Sequence, residues 1–272
     1  MKKRLFLSVI LGLLTALLVA CGGGNNTATN ESVTNDDEGA NNNGDKETYI
    51  VATDNGYVPF EYIDEDSGDL VGFDIDLITA LAEEAGIDIE FEVLEFDGIV
   101  AGISSGKFDI AIAGMTITED RMKSIDCTDP YYEAGLILAV TDDNDEITSI
   151  DDVDGKVVAT RTGSTSEKYL KDETEAKIEA FPQIIEGYQN VLAGRADAVL
   201  YDLPNVQFYS EKEADNRLVT VGDKLTGEDY GIAFPKGSEL RDKINGALKT
   251  LKEDGRYDDL YEKWFGERPE GT

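Results

Sequence analysis

Ala111-Ile112-Ala113-Gly114-Met115-Thr116-Ile117-Thr118-Glu119-Asp120-Arg121 carries an apolar run straight into a polar segment. The run from Phe108 to Ala113 reads as a strand covered on both faces, and Thr118 stands where a helix N-cap would, which puts Arg121 in a helix's first turn. First turns favour Asp and Glu because the helix dipole is positive there, so an Arg adds to a positive field and calls for an anion. Two partners fit: a ligand carboxylate, or an acid nearby in sequence such as Asp120 or Asp126.

Outward from this stretch, strands and helices alternate as in an α/β protein. Toward the N-terminus, Tyr49 to Ala52 is a strand that ends in Thr53-Asp54-Asn55-Gly56-Tyr57, a polar loop at a strand's carboxyl end, where open α/β sheets place ligands. Ile75, Ile78, Leu81 and Ala82 mark a helix closed by Gly86, Ile87 to Leu94 alternates as a strand, and Asp97 caps a short helix after Phe96. Toward the C-terminus, Leu136 to Val140 is a strand, followed by an acidic break from Asp142 to Glu146. Ser149 then caps a short helix, and Lys156 to Thr160 is a strand. Arg161-Thr162-Gly163-Ser164-Thr165-Ser166-Glu167 opens a helix with a Ser164/Glu167 capping box, a turn that either simply caps or also offers N–H groups to an anion. Ile184 to Ala193 is a helix, and Ala196 to Leu200 is a strand ending in Tyr201-Asp202-Leu203-Pro204. A last strand, Tyr230 to Phe234, precedes helices over Glu239 to Asp254 and Arg256 to Trp264. The helical spacing of Tyr257, Leu260, Tyr261, Trp264 and Phe265 makes them a core-facing stripe.

Composition narrows the chemistry. Lys and Arg number 24 against 57 Asp and Glu, a formal charge of −33 that repels nucleic acid and anionic membrane. There is no His, which removes Ser-His-Asp and Cys-His catalysis and His-ligated zinc. Two Cys are too few for a disulfide framework or a thiolate metal site, so neither metal nor cofactor is expected. Cys127 is expected to pack as a small buried residue.

Lys2, Lys3 and Arg4, then an apolar stretch to Ala20, read as an export leader over residues 1–20, shorter than the roughly 20 residues of a spanning helix. Its ending, Leu18-Val19-Ala20-Cys21, resembles the lipobox of bacterial lipoproteins, which implies cleavage before Cys21, lipid on its sulfur and a place outside the cytoplasmic membrane. Residues 21–47 are rich in Gly, Asn, Thr and acid and cannot bury enough surface to order themselves; as a flexible tether they reach about 25 to 30 Å.

Gly72-Phe73-Asp74-Ile75-Asp76, Ala113 to Arg121, Asp129-Pro130-Tyr131-Tyr132, Gly163 to Glu167 and Tyr230-Gly231-Ile232-Ala233-Phe234-Pro235-Lys236-Gly237 together resemble the solute-binding proteins for polar amino acids of bacterial ABC importers, the glutamine-binding branch above all. That resemblance implies a two-lobed, periplasmic-binding-protein-like α/β fold with two crossover hinge segments. Residues 48–132 and 231–272 would form lobe 1, residues 136–226 lobe 2, and residues 131–135 and 226–230 the hinges. It further implies a monomer that delivers an L-amino acid to the importer's transmembrane subunits. By carry-over, Arg121, Thr116 and the Thr165 N–H would take the α-carboxylate; Asp202, the Gly114 carbonyl and the Thr116 hydroxyl the α-ammonium. Tyr57 and Phe96 would bracket the aliphatic part, and Asp54, Arg161 and Tyr201 would read the tip. Arg161 stands where that branch has Lys and Tyr201 where it has His, which leaves glutamine, glutamate and cationic amino acids in play with glutamine favoured. Some dehydratases acting on cyclohexadienyl acids share the scaffold, but Asp54 and Asp202 already have simpler binding roles, so a non-enzymatic carrier is expected. A sensing ectodomain would continue into a membrane span, and no such apolar run follows the last helix.

Overall fold

The computed structural model describes residues 48–269; the expected leader, tether and Cys21 lie outside them. Two five-stranded sheets organise the chain. The first has the order Asp88–Val93, Thr48–Thr53, Ile110–Ala111, Ala233–Pro235, Ile125–Cys127, with the first three strands parallel and Ala233–Pro235 antiparallel to both its neighbours. The second has the order Lys177–Phe181, Val157–Arg161, Ala198–Asp202, Leu136–Thr141, Leu218–Val221, again with three parallel strands and then an antiparallel pair. Between the sheets the chain crosses twice, and the crossings Tyr132–Ala134 and Glu228–Tyr230 pair as an antiparallel ribbon. This is the two-lobed α/β arrangement with two crossover segments that the resemblance implies.

Helices cover the sheets because each presents one apolar face. In α1 (Phe73–Ala85), Phe73, Leu77, Ile78 and Leu81 are buried, and Gly86, in the left-handed conformation, returns its N–H to the carbonyls of Ala82 and Glu83. α2 (Phe96–Ser104) buries Phe96, Ile99 and Ile103, and Cys127 packs in that cluster. The second sheet is covered by α3 (Thr165–Glu173), α4 (Ile184–Leu192) and α5 (Leu203–Lys212). α6 (Glu239–Asp254) and α7 (Arg256–Phe265) return to the first. The aromatic stripe of α7 is a core feature: Tyr257, Tyr261 and Phe265 pack on Phe73 with ring centroids 5.2 to 6.0 Å apart. Trp264 sits at its edge, donating to Asp76 at 2.7 Å.

The structure departs from the sequence reading at several joints. The buried segment Phe108 to Ala113 is laddered only at Ile110–Ala111. No α-helix follows Thr118; a single 3-10 turn, Arg121–Lys123, does. Asp120, not Thr118, is the N-cap of that turn, though the Thr118 hydroxyl accepts from the Arg121 N–H at 3.2 Å. Glu95, not Asp97, is the N-cap of α2, and Asp97 accepts its neighbour Gly98's N–H at 2.8 Å. Tyr230 to Phe234 is broken at Gly231-Ile232, so that Tyr230 ends a crossover and Ala233 begins a sheet strand. In the Ser164/Glu167 box the serine accepts from the Glu167 N–H at 3.1 Å, but Glu167 reaches the Gly163 N–H at 2.8 Å rather than that of Ser164. Lys177–Phe181, Leu218–Val221 and α5 are further elements that the sequence reading does not assign; α5 begins with Pro204 in its first turn, where a missing N–H costs nothing.

Two acids lie in the core of the first lobe. Glu61 and Asp74 are fully buried, and Asp74 Oδ2 accepts from the Gly114 N–H at 3.0 Å and the Tyr131 hydroxyl at 2.8 Å. Burial pushes the Asp74 carboxyl up to about 6, against the pull of those two donors, and burial, then the nearness of Asp74, holds Glu61 well above its ordinary range. A carboxyl whose folded pKa is raised gives stability that is present at low pH and lost as pH rises through the folded value. We therefore expect the wild type to lose stability between pH 4 and 7 relative to Asp74→Asn, by about 1 to 3 kcal/mol, in denaturant melts at several pH values. Parallel stability curves for the two proteins would refute this.

Candidate functional site

The carboxyl ends of parallel strands from both sheets converge on one cleft, the place where open α/β sheets put ligands. Thr48–Thr53 delivers Asp54, Val157–Arg161 delivers Arg161, and Ala198–Asp202 delivers Tyr201 and Asp202. Asp54 is wholly buried and accepts from the Asn55 and Gly56 N–H groups and, at 3.1 Å, from the side-chain amide of Gln183. Its other oxygen forms an ion pair with Arg161, which is 1 % exposed. Arg161 also donates from Nε to the Pro182 carbonyl at 3.2 Å and from a terminal nitrogen to the Tyr201 hydroxyl at 3.4 Å, and it lies 4.9 Å over the Phe96 ring. Removing either charge would leave the other desolvated and unpaired.

Asp202 is the N-cap of α5, yet its carboxylate makes no capping bond. It accepts instead from the hydroxyls of Tyr57, at 2.8 Å, and Tyr230. Burial first, then the charge of Glu228, pushes it up to about 6, while the two phenols hold it down. Gly114 makes the Tyr57 position possible. It sits at φ +52, and a Cβ there would overlap the Tyr57 ring. Tyr57 stacks on Phe60 at 5.1 Å, so it turns toward the aromatic core and holds Asp202, while Phe96 faces two guanidinium groups.

Arg121 donates to the Thr116 carbonyl at 2.8 Å and to the Gly163 carbonyl at 3.3 Å, joining one lobe to the other, and lies 5.3 Å from the Phe96 centroid. Burial lowers its pKa, opposed by the charges of Glu228 and Asp202; an arginine stays charged there. Neither Asp120 nor Asp126 holds it, since they pair with Lys123 and Lys236. Beside it, at the N-terminus of α3, opens a cavity of about 430 Å³ where Arg121, Lys168 and Lys171 share the lining with Asp120, Glu167 and Asp172 and with Thr118, Gly163, Ser164 and Thr165. Arginine and a helix N-terminus facing one space suit a carboxylate.

The ten candidate residues thus fall in one network of contacts where the two lobes meet. Three others went unread. Glu228 accepts the hydroxyls of Thr116 and Thr165, both at 2.7 Å. Gln183 bridges Asp54 and, at 2.7 Å, Glu95, and Tyr230 holds Asp202. Nothing local marks them as site residues: Glu228 and Tyr230 are brought in by the second crossing, and Gln183 by the turn before α4. Among the described residues no group of acids and cysteines could hold a metal ion.

A cleft of buried opposite charges between two α/β lobes defines a two-lobed binding protein for a small polar solute. The chain belongs to the bacterial extracellular solute-binding proteins, family 3, whose model matches residues 49–267. It is 36% identical over 230 residues to a putative ABC transporter arginine-binding protein 2 of Escherichia coli (strain K12), covering 80% of this chain and 91% of that one. It is 34% identical over 277 residues to the ABC transporter glutamine-binding protein GlnH of Bacillus subtilis (strain 168), covering 99% of each. An ancestral arginine-binding protein, solved with glutamine and again with arginine, is similar at TM-score 0.77 in both cases, with 45% and 44% identity, covering 82% and 81% of this chain and 99% of the other. Among the described residues no helix is long and apolar enough to cross a membrane.

Arg121→Lys is expected to weaken binding of a carboxylate ligand by about 2 kcal/mol or more, because a point charge replaces a planar fork. Calorimetric titration measures it; unchanged affinity would make Arg121 only a staple between the Thr116 and Gly163 carbonyls.

Proposed function

We propose that this chain is a lipid-anchored, extracytoplasmic, monomeric binding protein that closes on a polar L-amino acid, glutamine foremost, and hands it unchanged to the transmembrane subunits of an ABC importer. The observation that carries the glutamine reading is the buried contact of Asp54 with Arg161 beside the Tyr201 hydroxyl. A side-chain tip inserted there meets an acceptor and a donor side by side, and an amide satisfies both. The chain's own Gln183 amide already donates to Asp54, which is the contact a ligand amide would make. Glutamate would set a carboxylate against Asp54, and arginine or lysine a cation against Arg161; each mismatch costs about 1 to 3 kcal/mol when desolvated.

One observation favours a second ligand. The cleft holds three buried carboxylates, Asp54, Asp202 and Glu228, against two guanidinium groups, Arg121 and Arg161, and a cationic amino acid would offset the difference. Calorimetric titration with glutamine, glutamate, asparagine, arginine, lysine and histidine separates the readings. We expect glutamine to bind tightest, and Asp54→Asn to improve glutamate relative to glutamine by removing the repelling charge. Glutamine binding no tighter than both glutamate and arginine defeats the amide reading.

In this proposal the crossings at residues 131–135 and 226–230 act as hinges between residues 48–132 with 231–272 and residues 136–226, and the ligand stabilises the closed form in proportion to the contacts it makes only there. The anchor rests on Leu18-Val19-Ala20-Cys21, with residues 21–47 as tether. Cys21→Ala should leave an uncleaved precursor and abolish incorporation of labelled fatty acid in the expressing bacterium; normal labelling of that variant would end the lipoprotein reading.

A further inference from the structure

Glu228 lies on the second crossing, 7 % exposed, where neither lobe's sheet would place it. Thr116 from the first lobe and Thr165 from the second each donate a hydroxyl proton to its Oε2 at 2.7 Å, and Thr226 donates to Oε1 at 3.2 Å. A carboxylate only accepts, so the direction of these bonds is set, and a hydroxyl has one proton to give. Thr116 and Thr165 therefore have only lone pairs left for any neighbour. Thr116 is bridged to Tyr230, whose hydroxyl holds Asp202, and the charge of Glu228 reaches Asp202 itself. This end of the cleft thus combines acceptor hydroxyls with two carboxylates against the single guanidinium of Arg121, which donates to the Thr116 carbonyl, so a group placed among them is favoured by bringing protons and a second positive charge.

We propose that Glu228 is a specificity-determining residue: by taking the Thr116 and Thr165 protons it turns both hydroxyls into acceptors and, with Asp202, makes this end of the cleft a receptor for a primary ammonium. The inference rests on the reading that an amino acid occupies the cleft, and it assigns to a crossing residue the discrimination between an amino acid and the same molecule without its α-ammonium. Because both threonine hydroxyls reach Glu228 from opposite lobes, the receptor is assembled only when the lobes are together.

The test is calorimetric titration of the full mature chain with two pairs of probes: L-glutamine against 4-carbamoylbutanoate, and L-arginine against 5-guanidinopentanoate. The wild type is expected to prefer the amino acid of the pair it binds by about 100-fold or more, since a site built around a ligand's donors rejects an analogue that lacks them. Glu228→Leu should reduce that preference by about tenfold or more while the deamino analogue's affinity holds or rises, because the freed threonine protons can then face the ligand. Glu228→Gln, which keeps an acceptor and drops the charge, should fall between, and Thr116→Val should lower the preference without touching Glu228. Should Glu228→Leu fold poorly in thermal melts, the other two variants carry the measurement. Loss of both members of a pair by the same factor would make Glu228 a structural residue and overturn the proposal, as would a wild type that fails to distinguish them. Failure of the amide reading shows instead in glutamine against arginine, between pairs rather than within one.

Discussion

The buried pair of Asp54 and Arg161 is the constraint around which the rest of the cleft is arranged. Each residue ends a parallel strand in a different sheet, and each is almost wholly removed from water. Alone, either charge would carry a desolvation penalty far beyond what packing could offset; together, each offsets the other's burial, and Gln183, Tyr201, Pro182 and local N–H groups add hydrogen bonds around them. The edges of the cleft follow from that. Phe96 supplies a π face to both guanidinium groups, and the loop after Asp54 turns Tyr57 inward to meet Asp202.

The acidic composition and this interior are separate matters. Most of the excess acid is on the surface, where salt screens it, but Glu61, Asp74, Asp202 and Glu228 are inside, and none rests on a lysine or arginine partner of the Asp54 kind. They are tolerated because hydroxyls and backbone N–H groups answer most of them: Tyr131 and Gly114 for Asp74, Tyr57 and Tyr230 for Asp202, three threonines for Glu228. Tyrosine is suited to this, since its ring joins the aromatic core while its hydroxyl reaches a carboxylate.

Much of the scaffold could be read before folding was considered, and the reason is local. α6 has its expected bounds because Leu240, Ile244, Leu248 and Leu251 repeat on one face between Ser238 and Gly255, and Gly86 ends α1 where only a left-handed residue fits. The ten candidate residues could be named because they ride on strand ends and motifs with a family likeness. What escaped had no local signal. The turn at Arg121 is too short to declare itself, and the paired crossings owe their ladder to residues nearly a hundred positions apart. Glu228 and Gln183 matter only through what long-range folding sets beside them.

Two bonds join the lobes without passing through the proposed α-carboxylate, α-ammonium or tip positions: the Asn205 side-chain amide, itself held by the Tyr188 hydroxyl, donates to the Val58 carbonyl, and Gln183 donates to Glu95. These clasps do not distinguish one solute from another, but an enclosed solute can leave only after they let go. In the proposed carrier, residence time would therefore be shared out between the cargo and the rim: two amino acids of unequal affinity would depart through the same slow opening, and the rate at which a docked transporter is served would be governed in part by residues that never touch what is carried.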